Sequence, residues 1–199
     1  MTKTETSQDS QWIQTHALFG AYLSGDVAAV NELFSMIGRV VRGFFMARTR
    51  SESDSDDLTQ ATLLKIHLSR HSYDVRQSLK TWVFTIAHRT LIDHWRKRSR
   101  LDANETLESS DKTADYADSS GAIELSSLIP LRAQLEKSLD TLKPSDRTIV
   151  YLGVMEGLTM AELASVMNST EGAIKVKLHR LLKGLRAFLN ETDAEVEEP

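Results

Sequence analysis

Apolar residues recur along this chain at helical spacing, interrupted by short polar breaks. Val27, Val30, Leu33, Phe34, Ile37, Val40, Val41 and Phe44 fall on one face of a single helix, and Asp26, behind Ser24-Gly25, suits its N-cap. A shorter helix over Gln11–Leu23 precedes it. After a polar break at Arg48–Ser53, a third helix begins near Asp54–Asp57 and runs to about Ser69, its early acids complementing the helix dipole. The stretch HSYDVRQSLK reads as a loop. Thr81–Arg100 then forms a fourth helix, with Phe84, Ala87, Leu91 and Trp95 as its apolar stripe. Thr85, Arg89, Asp93, Arg96, Lys97 and Arg100 lie opposite that stripe, with Trp82 and Ile86 on the polar side near the start.

The pattern then lapses. Leu101 to about Ser126 is rich in Asp, Glu, Ser, Thr and Ala, and predicts a flexible acidic linker. Helical spacing returns with Leu131, Leu135 and Leu139. Pro144 or Ser145 starts the next helix, which runs through Ile149 and Leu152 until Gly157 breaks it. A short helix at Met160–Met167, a turn at Asn168-Ser169-Thr170 and a long helix at Glu171–Leu189 complete the series. The expected fold class is therefore all-α: a four-helix domain at 10–100, a linker at 101–126, a second helical domain at 127–190 and an acidic tail at 191–199.

Composition narrows the chemistry. The chain has no cysteine, which excludes disulfides and thiolate metal sites. Its start lacks the apolar core of a secretory signal, and no run of about eighteen apolar residues occurs, so a cytoplasmic protein without a membrane span is expected. His67 and His71 are one helical turn apart, but no nearby carboxylate or cysteine completes a metal site; a surface or packing role is expected for them, and a structural one for His88. No phosphate-cradling glycine loop or nucleophile–base arrangement stands out, so neither catalysis nor a cofactor is expected.

The net charge of −4 hides its distribution. Lys80–Arg100 holds six Lys/Arg and one acid, and Gly172–Leu189 holds five and none. Leu101–Ser126 holds seven acids against Lys112 alone, and Glu191–Pro199 five acids and no base. Each basic helix is thus followed by an acidic segment. A helix offering cations and an aromatic ring to one side suits a phosphate backbone with bases available for stacking. The second basic helix fits a helix-turn-helix, in which a short helix braces one that enters the major groove. Leu163, Val166 and Met167 would pack on Ile174, Leu178, Leu181 and Leu185, and Ser169 or Thr170 would cap the longer helix. Lys175, His179, Lys183 and Arg186 would share the outer face, flanked by Lys177 and Arg180.

Taken together, these motifs resemble the extracytoplasmic function (ECF) group of bacterial RNA polymerase sigma factors. DLTQATLLKIHL at Asp57–Leu68 is similar to the family's region 2.2. SLKTWVFTIAHRTLIDHWRKRSR is similar to regions 2.3 and 2.4. LDTLKPSDRTIVYLGVMEGLTMAELASVMNSTEGAIKVKLHRLLKGLR is similar to region 4. The resemblance implies a factor that binds core RNA polymerase through the β′ clamp and the β flap, directs it to promoter DNA, and is restrained by an anti-sigma factor. It implies that Asp56, Asp57, Gln60 and Lys65 dock on the clamp. Tyr73 and Arg76, in the loop Ser72–Ser78, would sit where a flipped −10 base is captured. Arg89 and Asp93 would face −10 bases, with Arg96, Lys97, Arg98 and Arg100 on phosphates. Ser169, Thr170, Lys175, Lys177, His179, Arg180 and Lys183 would meet the −35 element. Two departures stand out: Arg89 occupies a position often held by Asn, and Ala173-Ile174-Lys175-Val176-Lys177 replaces the usual Thr-Val-Lys-Ser-Arg. A DNA-binding regulator acting without polymerase and a protein that only mimics such a factor are the competing readings. The Asp57–Leu68 helix separates the first from a sigma factor, since a simple regulator has no use for it.

Overall fold

The computed structural model describes residues 3–105, 138–139 and 141–196, and all their regular structure is helical. Seven α-helices are α1 (Lys3–Leu23), α2 (Val27–Thr49), α3 (Glu52–Ser69), α4 (Leu79–Glu105), α5 (Pro144–Val150), α6 (Met160–Val166) and α7 (Glu171–Val196). The chain divides into two compact units, one built on α1 to α4 and the other on α5 and α7. The expected linker lies outside the described residues beyond Glu105, as do Leu131 and Leu135; Leu139 is helical.

Local chemistry sets the helix ends in the first unit. Asp26 caps α2, its carboxylate accepting from the Ala28 N–H at 2.9 Å. The helix stops where Arg50 turns left-handed at φ 53°, and Ser51 at once caps α3, accepting from the Asp54 N–H at 3.2 Å. The buried Thr49 and Ser55 hydroxyls, 2.8 Å apart, tie this corner together. With so short a connection, the acidic first turn of α3 is held firmly against the end of α2. Two helices outrun their periodicity. α1 begins at Lys3 rather than Gln11, and α4 continues past Arg100 to Glu105. Neither extension contains Gly or Pro, so nothing breaks the helix where the apolar stripe ends.

The core of this unit combines aromatic and aliphatic side chains. Phe19, Leu33, Ile37, Phe44, Phe45, Ile66, Val83, Phe84 and Leu91 are all essentially inaccessible. Phe84 on α4 meets Phe44 on α2 at 5.5 Å and Trp12 on α1 at 6.0 Å between ring centroids. Trp82 does not join the exposed cations, as its position on the helix had suggested. It is half-buried, with its ring 5.6 Å from Phe19 and 5.1 Å from Tyr73.

In the second unit, Pro144 opens α5 at a position where its missing N–H costs nothing. The helix widens into a π-turn at Tyr151–Met155, and Gly157, at φ 65°, ends it. Thr159 and Glu162 then form a capping box ahead of α6. The Thr159 N–H and hydroxyl both donate to Glu162 Oε2 at 2.9 Å, and the Glu162 N–H returns to Thr159 Oγ1 at 3.2 Å. Asn168, left-handed at φ 49°, makes the turn, and Thr170 caps α7 by accepting from the Ala173 N–H at 3.3 Å. Leu163 and Val166 on α6 and Ile174, Leu178 and Leu185 on α7 are buried, and Met167 and Leu181 are half-buried. Gly153 sits where this packing is closest. A Cβ there would lie 3.1 Å from the Leu163 side chain and 3.4 Å from that of Leu178.

Candidate nucleic-acid interface

On α4, Arg89, Arg96, Lys97, Arg98 and Arg100 are all exposed, with Arg98 turned to the edge that faces α3 and the other four on the outer side. The inner edge of α4 is tied to α3. Lys65 Nζ donates to Thr90 Oγ1 at 3.1 Å and lies 3.6 Å from the Asp93 carboxylate, while the Arg98 guanidinium is 3.6 Å from Asp54. A shallow groove runs between the helices here, lined by Asp54, Asp57, Lys65, Asp93, His94 and Lys97 among others. So Lys65, expected to meet polymerase, and Asp93, expected to meet DNA, are partners of each other. Pairs this exposed are worth under about 1 kcal/mol, and a polyanion or a protein surface can displace them. Further along α4, Ile92, Trp95, Arg96, Ser99 and Arg100 line a second open depression. Trp95, expected in the buried stripe, is only half-buried there.

The loop ahead of α4 is ordered by its own hydrogen bonds. The Asp74 carboxylate accepts from the Arg76 N–H at 3.0 Å, and the Gln77 N–H donates to the Asp74 carbonyl at 2.9 Å. Ser78 caps α4 through the Thr81 N–H at 3.3 Å. Val75 and Arg76 stand exposed at the loop tip. Tyr73, expected to contact a captured base, is buried instead. Its ring lies 5.2 Å from Phe19 and its hydroxyl donates to the Gln77 carbonyl at 2.6 Å. Burial, and secondarily the charge of Asp74, raises the pKa of this hydroxyl above its ordinary value and keeps it a donor. Tyr73 thus forms the floor of the loop, and Arg76 forms its tip.

On α3, Asp57, Gln60 and Lys65 are exposed, whereas Asp56 accepts from Arg42 Nε at 2.6 Å. That hydrogen bond and the charge of Asp56 raise the pKa of the Arg42 guanidinium. Two residues missed from the sequence complete this face. Leu64 and Leu68 are 58% and 68% exposed and continue the line of Asp57 and Gln60 along one side of the helix. Their signal was present: Leu58, Thr62 and Ile66 already supply the buried side, which leaves these leucines with no place in the core.

Ser169 and Thr170 in the turn and Lys175, His179, Arg180 and Lys183 on α7 are exposed. Lys177 differs. It is half-buried, and its ammonium lies 2.6 Å from the largely buried carboxylate of Asp146 on α5. At about 100° per residue, Lys177 falls beside the buried stripe of Ile174, Leu178 and Leu185 rather than opposite it. The family resemblance assigns it to the −35 face, but the helix turns it inward.

Among the described residues no cluster could bind a metal ion. His67 Nδ1 is 2.6 Å from the Tyr22 hydroxyl. His88 is buried, and burial, aided by the Arg48 charge, lowers its pKa to about 4. No described helix is long and apolar enough to cross a membrane.

The Sigma-70 region 2 profile matches residues 33–101, and the Sigma-70 region 4 profile matches 132–185. The ECF RNA polymerase sigma factor SigF of Caulobacter vibrioides is 34% identical over 97% of this chain and 99% of its own length. The chain belongs to the ECF RNA polymerase sigma factors. The sigma factor CarQ of Myxococcus xanthus is also similar, at 30% identity over 88% of this chain and 97% of its own. The fold matches that of the sigma factor RpoE from Bartonella quintana, solved with the anti-sigma factor NepR (TM-score 0.64, 22% identity, 82% of this chain and 98% of that one). It also matches CnrH, solved with the cytosolic domain of CnrY (TM-score 0.60, 20% identity, 88% and 97%). As an ECF sigma factor the chain is an initiation factor and not an enzyme: it joins core RNA polymerase and directs it to promoters.

Proposed function

We propose that this sigma factor divides its work among three surfaces. The exposed face of α3, with Asp57, Gln60, Leu64 and Leu68, docks on the polymerase clamp, flanked by Asp56, which is released from Arg42, and by Lys65, which stays paired with Asp93. The loop tip at Arg76 and the outer face of α4 meet the −10 element. Arg89 and Asp93 face bases there, and Arg96, Lys97, Arg98 and Arg100 hold phosphates. Tyr73 supports the loop from below. The outer face of α7 enters the major groove of the −35 element through Lys175, His179, Arg180 and Lys183, with Ser169 and Thr170 at its mouth.

The observation that carries this reading is the contrast between neighbouring helices. α3 shows water two leucines among acids, while α4 shows it five cations. The first suits a protein partner and the second a nucleic acid. Two of the structures this fold resembles were solved with partners that bind sigma factors, one of them named an anti-sigma factor. A similar partner restrains this chain in the cytoplasm by covering the same surfaces. Reconstituted transcription tests the division. Leu64→Asp with Leu68→Asp is expected to abolish specific initiation and weaken core binding more than tenfold while leaving helicity intact. Undiminished core binding by that variant would refute the α3 assignment.

A further inference from the structure

The residue on α7 that points most directly away from the protein is not a cation. With Ile174, Leu178 and Leu185 buried, about 100° per residue sets Val176 nearly opposite the buried stripe, between His179, Lys183 and Arg180. Its side chain is 51% exposed. The rotation of α7 that puts it there is held from behind. Lys177, the next residue, reaches inward to Asp146 at 2.6 Å, and Ser145 donates to that same carboxylate oxygen at 3.1 Å. Capping by Thr170 begins the helix two turns before His179, so Val176 lies within the N-terminal turns that reach base edges.

We infer that Val176 is a specificity-determining residue of the −35 contact and that it reads the 5-methyl group of a thymine. This role rests on the placement of α7 in the duplex, where the chemistry of the side chain selects the base. Valine has no donor or acceptor. Set against the N4 amino group of cytosine or the acceptor edge of guanine, it strips those groups of water and returns nothing. The thymine methyl is the one apolar feature of the major groove, and a valine methyl against it removes both from water. The flanking Lys175, His179 and Arg180 supply phosphate and base-edge contacts that hold the helix in place while Val176 selects.

The test isolates one methyl group. Core polymerase bearing the full-length chain selects from a long randomised duplex prepared in two versions, one with thymine and one with deoxyuridine throughout. The wild-type factor is expected to enrich an upstream motif containing a thymine. The preference at that position should fall about fourfold in the deoxyuridine library, the effect of one buried methyl. Val176→Ser, a surface change whose folding is checked by circular dichroism, is expected to show the same preference in both libraries at that position. An upstream motif that the wild type enriches identically in both libraries would overturn the role of Val176 and leave the placement of α7 standing. Absence of any upstream motif would overturn both.

Discussion

His88 makes the first unit sensitive to acid by an amount that can be worked out. Burial and the neighbouring Arg48 charge hold its pKa at about 4, against an ordinary value of 6.5. The folded unit therefore prefers the neutral ring. At about pH 8 both folded and unfolded chains carry it neutral, and it places no penalty on folding. As pH falls through 6.5 the unfolded chain takes up the proton and the folded chain does not, so stability is lost until pH reaches about 4. Between about pH 8 and pH 5, proton linkage puts the loss at about 2 kcal/mol. Other groups titrate over the same range, so the reference is His88→Gln, which keeps them and removes this one. Urea unfolding followed by tryptophan fluorescence is the assay. Trp12, Trp82 and Trp95 are the only tryptophans, and all lie in the first unit, so the signal reports that unit alone. The variant is expected to lose about 2 kcal/mol less than the wild type between the two pH values. Curves that shift in parallel, to within about 0.5 kcal/mol, would show that His88 takes up its proton in the folded state and refute the reasoning.

Three further outcomes are expected. Arg96→Ala with Lys97→Ala should weaken promoter binding by the holoenzyme and lower the slope of log affinity against log salt by about 1.5, as two lost phosphate contacts require; an unchanged slope counts against that role. Lys65→Met exposes the Asp93 carboxylate to DNA and should reduce promoter-complex formation by about threefold at matched holoenzyme concentration. Adding Asp93→Asn should restore it if the pair acts as the geometry indicates, and a strictly additive double variant would not fit. Thr170→Ala removes the cap of α7 and should cost about 1 kcal/mol in thermal unfolding of the second unit, read by circular dichroism.

Much of this was legible in the residue pattern, and the misses share a cause. Periodicity found α2 and α7 because each has a stripe of large apolar residues, while α3 was marked by the polar break and the acidic first turn that open it. It fell short at the start of α1 and the end of α4, where helix continues without any such stripe. The faces of single helices were also readable: Arg89, Arg96 and Lys175 are exposed as expected. What one helix cannot reveal is how its side chains pair across to another. Lys177 looked like one more cation until Asp146 drew it inward, and Lys65 and Asp93 had been given to different ligands before the packing of α3 on α4 joined them. Trp82 sits among cations on its helix and invites a stacking role, while the family resemblance gives Tyr73 a place beside a captured base. Their burial depends on Phe19, some fifty residues away, which no local pattern connects to them.

Gly153 gives the second unit an adjustable pitch. With no side chain there, Leu163 and Leu178 close over the backbone, and α7 runs on from that contact as a rod about 27 Å long. A displacement of a few tenths of an ångström at the contact becomes a larger swing at the far end of the rod. A single added methyl at this position would thus act as a lever, re-aiming the reading helix while leaving every DNA-facing residue unchanged. Promoter preference can in this way drift through a residue that never approaches DNA.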